Sequence, residues 1–210
     1  MDSLLAAAIH DVKNQLAALG TWLEVARREH PSAALDNARA VADQAGSALV
    51  ALLAIHRDGE GGLRLAIDDR DLRDFCDDLF HDLHLPADTA IDIERADAAA
   101  DALGTWAFDA YQVRLALLDA LRNAARHARG KVGFSLARHA DGICFEVRDD
   151  GPGYAPDVLA GDGGTMRDAG SGLGLRFARL IARRHATPAG RHGRVELAND
   201  GGAVFRLVLP

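Results

Sequence analysis

Apolar residues recur at alternating four- and three-residue steps from Leu5 through Ile9, Val12, Leu16, Leu19 and Leu23 to Ala26. That spacing is a heptad seam. It predicts one helix over residues 2–29, with a stripe that must be covered by another helix. His30-Pro31-Ser32 ends the run, because proline disfavours helix at the residue before it. Leu35, Ala38, Ala42, Ala45, Leu49 and Leu52 then form a second seam. Two helices with so short a connection make an antiparallel hairpin. One hairpin cannot bury a seam on all sides. Two hairpins paired in a four-helix bundle can, so a homodimer is expected; packing on the chain's own second half is the other solution.

Asp58-Gly59-Glu60-Gly61-Gly62 interrupts this pattern and reads as a linker. The expected organisation is therefore a helical hairpin over 1–58, a linker over 59–62 and a mixed domain over 63–210. In that domain, residues 63–67 read as a short strand. Residues 69–84 read as a helix with Leu72, Phe75, Cys76 and Leu79 on one face. Ile91 and Ile93 alternate with acids, as in a strand. A helix is expected over 109–128, a hairpin over 131–138 and 142–148, a glycine-rich stretch over 151–174, and a helix to about His185. Val195–Ala198 and Ala203–Leu209 close the chain as a last hairpin. The fold class is α+β: helices and antiparallel strands in this order suggest an α/β sandwich with helices on one sheet face.

The net charge of −7 argues against a nucleic-acid surface and suits a soluble, cytoplasmic chain. The two cysteines, Cys76 and Cys144, lie in apolar-periodic stretches and read as buried free thiols, too few for a disulfide framework or a metal cluster. The start, MDSLLAAAIHDVKN, lacks the basic region of a secretory signal, and no apolar run approaches bilayer length, so no membrane insertion is expected.

Three constellations carry chemistry. Asp149-Asp150-Gly151-Pro152-Gly153 follows a strand. Its glycines allow a sharp turn and close backbone approach, and a carboxylate there can accept from an exocyclic amine. Gly170-Ser171-Gly172-Leu173-Gly174-Leu175 opens a helix, where backbone N–H groups favour phosphate. About 36 residues remain after it, too few for a dinucleotide-binding Rossmann sheet. Asp119 and Asn123 stand four apart on one helix face. A carboxylate and an amide oxygen so placed suit Mg²⁺, and Arg126 one turn on suits phosphate oxygens. Taken singly, these read as a plain turn, a weak glycine motif and a solvated helix face.

Their order, LLDALRNAARHA, then VRDDGPGY, then GSGLGLRFARLIARRH, then AVFRLVLP, resembles the N, G1 and G2 boxes of the GHKL ATPase superfamily, and most closely the catalytic domain of bacterial sensor histidine kinases. The resemblance covers about residue 63 to the end. It implies an α/β sandwich that binds ATP with Mg²⁺. Asn123 matches the Mg²⁺-binding asparagine, with Asp119 beside it as metal ligand or base, and Asp149 matches the aspartate that reads the adenine amine. Arg126, His127, Gly151, Gly153, Gly170, Gly172, Leu173 and Gly174 fall around the nucleotide. Asp119 is a departure, since the family often carries asparagine there. The spacer of 16 residues between Gly153 and Gly170 is short for a lid and holds only Met166 as a large apolar residue near its end.

On the first helix, His10 adjoins the seam without lying on it, which predicts an exposed imidazole. A neutral imidazole nitrogen is a nucleophile that an adjacent carboxylate, Asp11, can orient or relieve of a proton. Ile9-His10-Asp11-Val12-Lys13-Asn14 matches the H-box of histidine kinases. That resemblance implies autophosphorylation of His10, transfer to an aspartate of a response-regulator receiver domain, and a hydrolytic water held by Asn14. Most of the other histidines, His30, His56, His81, His84, His139, His185 and His192, are read as surface residues; a metal site at His81 and His84 is the less favoured alternative for that pair. With no sensor segment recognised in the sequence, input is expected from a separate sensor protein or a fused domain. Two other readings stay open: a histidine phosphotransferase whose GHKL domain no longer binds ATP, and a GHKL module that sequesters a partner, as anti-sigma-type relatives do.

Overall fold

The computed structural model describes residues 2–140, 142–160 and 172–210, with side chains from residue 11 onward. It divides into two compact units, Met1–Leu63 with His84–Thr89, and Arg64–Leu83 with Ala90–Pro210.

The first unit is a hairpin of α1 (Asp2–Glu29) and α2 (Ala33–Gly59). Ser32 caps α2, its hydroxyl accepting from the Leu35 N–H at 3.3 Å. Arg39 joins the two helices: its guanidinium donates to the Gly20 carbonyl on α1 at 2.5 Å and to Asp43 at 3.0 Å. Segment 84–89 is tied to α2, with His84 Nδ1 at 2.9 Å from Asp43 and the Ala87 N–H donating to Asn37 at 2.9 Å. Ala40, Val50, Ala51 and Ala54 of α2 are buried and share one helix face. The seam read from the sequence lies on the other side. Of its α2 residues only Ala42 is buried, while Leu52 is 43% exposed; on α1, Val12 is 43% and Leu19 46% exposed. Leu5 and Ile9 lie outside the described side chains.

Helix α2 is also long and apolar enough to cross a membrane by length and composition, against the expectation that no segment reaches that length. The reason is compositional: between Ala40 and Ile55 its only charged residue is Asp43.

The second unit holds a five-stranded sheet and a two-stranded ribbon. In chain order it contains β1 (Asp68–Asp71), α3 (Leu72–His81), β2 (Asp92–Ala96), α4 (Ala99–Leu103), β3 (Thr105–Phe108), α5 (Ala110–His127), β4 (Lys131–His139), β5 (Gly142–Asp149), α6 (Pro156–Leu159), α7 (Leu173–Arg184), β6 (Arg194–Asn199) and β7 (Ala203–Leu209). The sheet order is β2-β4-β5-β7-β6, with β2 parallel to β4 and the other pairs antiparallel; β1 pairs with β3.

The register puts Phe134, Val147 and Phe205 in one row and Leu136, Phe145 and Leu207 in the next. These side chains are buried together with Phe75 and Leu79 of α3, Leu117 and Leu121 of α5, and Phe177 and Ile181 of α7. Phe75 packs edge-on against Phe108 at 4.9 Å and lies 5.5 Å from Phe145. The alternate residues carry Glu146 of β5, Arg206 of β7 and Glu196 of β6 in register, with Arg206 donating to Glu146 at 2.6 Å. One sheet face is thus wholly apolar, while the other mixes this charged cluster with the buried Cys144, Val204 and Val208; the fold is the α/β sandwich expected. Both cysteines are buried free thiols, and burial pushes Cys76 up to about 12 and Cys144 up to about 11.

Three local expectations are corrected. The strand expected over 63–67 is absent, and the strand forms at β1 instead. Helix α3 starts at Leu72 rather than 69, because the Asp71 carboxylate accepts from the Arg73 and Asp74 N–H groups at 2.8 and 3.0 Å and fixes the start there. It ends at His81 rather than 84. Elements α4 and β3 were not anticipated; Gly104, at φ 66°, ends α4 and turns the chain into β3.

His185, one of the seven histidines of which most are read as surface residues, is 2% exposed. Its Nε2 accepts the Asp109 N–H at 2.9 Å. A backbone N–H can only donate, so Nδ1 carries the proton and donates to the Ile181 carbonyl at 2.8 Å. Asp109 in turn caps α5, accepting from Gln112 at 3.0 Å, and accepts from the Ala66 N–H at 2.8 Å. Burial pushes the His185 pKa below its ordinary value. The unfolded chain therefore binds more protons at low pH, and this contribution is complete above the unfolded pKa and lost as pH falls. Urea unfolding from about pH 7.5 to about pH 5 should show wild type losing up to about 1.4 kcal/mol per pH unit, below about pH 6.5, beyond what His185→Gln loses.

Candidate functional site

Two adjacent carboxylates organise the end of β5. Asp149 is buried, and its Oδ1 accepts from the Gly151 N–H at 2.8 Å and the Ala203 N–H at 3.2 Å. Asp150 Oδ1 accepts from the Arg129 and Gly130 N–H groups at 2.7 and 3.1 Å, which fixes the connection between α5 and β4. Gly151 lies so close to the His127 carbonyl that a Cβ there would overlap it. The turn after β5 is thereby pressed onto the C-terminal end of α5.

Helix α5 carries Asp119, Asn123 and Arg126 at helical spacing. Asn123, Arg126 and His127 are exposed and Asp119 is half-buried. Burial raises the Asp119 pKa, against the pull of Arg122 and Arg126. The first turn of α7 meets this helix: a Cβ on Gly174 would coincide with the Asp119 carboxylate. Gly172 is the N-cap of α7 at φ 61°, a left-handed conformation suited to glycine, with Leu173 the first helical residue. The structure thus brings Asp119, Gly151, Gly174 and Asp149 to one end of the domain, with the exposed amide of Asn123 one turn from Asp119. Among the described residues no cluster of three His, Cys, Asp or Glu side chains is placed to hold a metal ion.

Gly170 and its neighbour Ser171 lie outside the described residues, as does Met166. His10 lies within α1, and its side chain is outside those described. Asp11 and Asn14 are exposed on α1, in the first unit, whereas the residues of the α5–α7 site belong to the second.

Residues 108–210 match the family of histidine kinase-, DNA gyrase B- and HSP90-like ATPases. The chain is 31% identical over 167 residues to the signal transduction histidine-protein kinase AfsQ2 of Streptomyces coelicolor, covering 76% of this chain and 29% of that protein. It is 33% identical over 109 residues to the sensor histidine kinase component HK1 of Mycobacterium tuberculosis, covering 49% of this chain and 62% of that one. Residues 108–210 are thus an ATPase-family domain, and the relatives that share it are histidine kinases. The chain spans less than a third of AfsQ2 and under two thirds of HK1. Full-length ShkA, solved in complex with AMPPNP, shares the fold at a TM-score of 0.64 and 23% identity, over 99% of this chain and 45% of ShkA.

Two residues that build this end of the ATPase-family domain carry no signal in a motif reading. Asp150 reads as half of an acidic pair, and its clamp on Arg129 and Gly130 joins residues about twenty positions apart. Asn199, whose amide holds the backbone of Tyr154, stands before Asp200-Gly201-Gly202 and reads as an ordinary turn residue.

The Gly174–Asp119 approach gives a direct test. Gly174→Ala should cost about 1–3 kcal/mol in urea unfolding, the range for overpacking a tight contact. The same substitution in an Asp119→Ala background should cost less than about 1 kcal/mol, since the obstructing carboxylate is gone.

Proposed function

We propose that this chain is an ATP-dependent protein-histidine kinase that phosphorylates His10 and passes the phosphoryl group to an aspartate of a response-regulator receiver domain. The observation that carries the reading is the convergence of the Asp119–Asn123 helix, the Asp149 turn and the first turn of α7 at one end of an ATPase-family domain. The AMPPNP complex of ShkA supports ATP as the nucleotide. Asp149 holds two backbone donors on Oδ1, leaving its second oxygen outside those bonds to accept the adenine amine. Gly151, Gly153, Gly170, Gly172, Leu173 and Gly174 surround the nucleotide, and Arg126 and His127 face its phosphates.

Asn123, with Asp119 one turn away, would hold Mg²⁺. This ion takes few protein ligands and completes its shell with phosphate oxygens and water. When bound, it would offset charge developing on the phosphates. The His10 ring nitrogen attacks the γ-phosphorus in line. A P–N bond forms, the bond to the β–γ bridging oxygen breaks, ADP leaves, and the imidazole proton passes to Asp11 or to water. Asn14 positions the water for the reverse, hydrolytic role toward a phosphorylated regulator. ATP as substrate sets the reaction on the cytoplasmic side, with input supplied by a separate sensor or fused domain.

We read residues 1–58 as the dimerising hairpin. The seam left outside its interior, with Val12, Leu19 and Leu52 more than 40% exposed, supports a second hairpin as the cover. Leu19→Glu with Leu52→Glu should convert a dimer to a monomer in light scattering while leaving the far-ultraviolet circular dichroism of the ATPase domain in place. A wild-type monomer would overturn the dimer.

Incubation with γ-labelled ATP and Mg²⁺ tests the kinase. Acid-labile, alkali-stable label is expected on wild type and absent from His10→Ala and from Asn123→Ala. A wild type that takes no label and binds no ATP would overturn the kinase reading in favour of a phosphotransferase charged from a phospho-regulator.

A further inference from the structure

The turn after β5 is held at both ends by the β6–β7 connection. At its start, Asp149 Oδ1 accepts the Ala203 N–H at 3.2 Å, and Gly202 lies so close to the Asp149 carbonyl that a Cβ would overlap it. At its end, the Asn199 side chain uses both of its polar atoms on one residue 45 positions away: Oδ1 accepts the Tyr154 N–H at 2.7 Å and Nδ2 donates to the Tyr154 carbonyl at 3.0 Å. A backbone N–H only donates and a carbonyl only accepts, so this pair fixes which way the amide points. Between the two clamps, Gly153 stands at φ 83°, and a Cβ on it would come within 2.7 Å of the Asn199 side chain. The connection itself is braced by the Asp200 N–H donating to the Gly202 carbonyl at 2.9 Å and by an Arg148–Asp200 ion pair at 2.9 Å.

We propose that Asn199 is a positioning residue that sets nucleotide affinity and base selectivity by clamping the glycine turn beside Asp149. The inference rests on the reading of Asp149 as the acceptor of the base amine. A turn that holds a buried carboxylate at one end and is pinned at the other keeps that carboxylate, and the backbone of Gly151 to Gly153, in a single arrangement before the ligand arrives. Release of the far end spreads the turn over several conformations, and binding must then reorder it. Asn suits the role because it offers a donor and an acceptor side by side. Asp keeps the acceptor for Tyr154 N–H but loses the donor, and Ala loses both.

The test uses the full chain as wild type, Asn199→Ala and Asn199→Asp. Dissociation constants are measured for ATP and for inosine triphosphate, which lacks the exocyclic amine, with amide hydrogen exchange at Tyr154 and the thermal unfolding midpoint alongside. Asn199→Ala should weaken ATP about tenfold, the loss expected from two hydrogen bonds. Inosine triphosphate should weaken less, so that the preference for ATP falls and Tyr154 protection is lost. Asn199→Asp, which disturbs the fold least, should lie between the two. Wild-type ATP affinity and selectivity in both variants would overturn the proposal alone. A parallel loss for both nucleotides that tracks the unfolding midpoint would also overturn it, by marking a scaffold role. Failure of wild type to bind ATP, by contrast, would overturn the nucleotide reading itself and this inference with it.

Discussion

The α/β domain depends at its functional end on two neighbouring carboxylates that reach to opposite sides of β5. The sheet order places β4 on one side of β5 and β7 on the other. Asp149 bonds toward the start of β7 through Ala203, and Asp150 bonds toward the start of β4 through Arg129 and Gly130. Each ties down backbone donors that turns leave without ladder partners, and an unpaired buried donor costs about 1–3 kcal/mol. Burial works against the Asp150 charge, yet the N–H groups of Lys131, Gly130 and Arg129 hold its carboxyl below the usual range. Two connections distant in sequence are thereby fixed to one strand end, and α5 is fixed with them, because the Arg129–Gly130 turn is its exit.

From this anchor the rest of the site is made by close approach. Gly151 lies against the last carbonyls of α5, Gly174 against Asp119, and Gly202 against Asp149, each at a distance no side chain would permit. These contacts bring glycine backbone close to α5 and to the end of β5, and backbone N–H groups at a helix N-terminus, as at α7, suit phosphate oxygens. Tyr154 adds an apolar flank. Burial, together with the charge of Asp149, pushes its hydroxyl up to about 12, so it stays a neutral phenol next to the carboxylate.

The elements legible in the sequence were those whose period is local: α1, α2, α5, α7, the β4–β5 hairpin and the β6–β7 hairpin. Leu63, Leu65 and Ile67 alternate as a strand would, but the segment is pinned through the Ala66 N–H to Asp109 rather than to a neighbouring strand, and nothing within the segment reveals that. His185 sits beside Arg183 and Arg184 and reads as part of a charged helix end, while the group that buries it, Asp109, lies 76 residues earlier. The glycines and acids of the site were legible by type. The clamps that orient them, Asp150 and Asn199, were not, because each spends its side chain on backbone, and backbone has no letter in the sequence.

Helix α2 shows how one composition admits two surroundings. Its face of Ala40, Val50, Ala51 and Ala54 is buried within the hairpin, while the opposite stripe through Val41 and Leu52 stays open, with Val41 65% exposed. Covering a large aliphatic side chain is worth about 1.5–3 kcal/mol, so the stripe favours an apolar partner, whether lipid or a second hairpin. Asp43 decides between them. Burial works against its charge, but His84 and Arg39 hold the carboxyl below the usual range, so it stays ionised together with its guanidinium partner in the middle of the helix. At the centre of a bilayer each such group costs about 2.5–3.5 kcal/mol or more, which cancels much of what the aliphatic stripe gains. In the hairpin the same two groups are ion-paired at 3.0 Å and keep 21% and 23% of their side-chain surface in water, so they stay ionised at lower cost. The ion pair at Asp43 therefore favours a protein surface over lipid as the cover for the stripe.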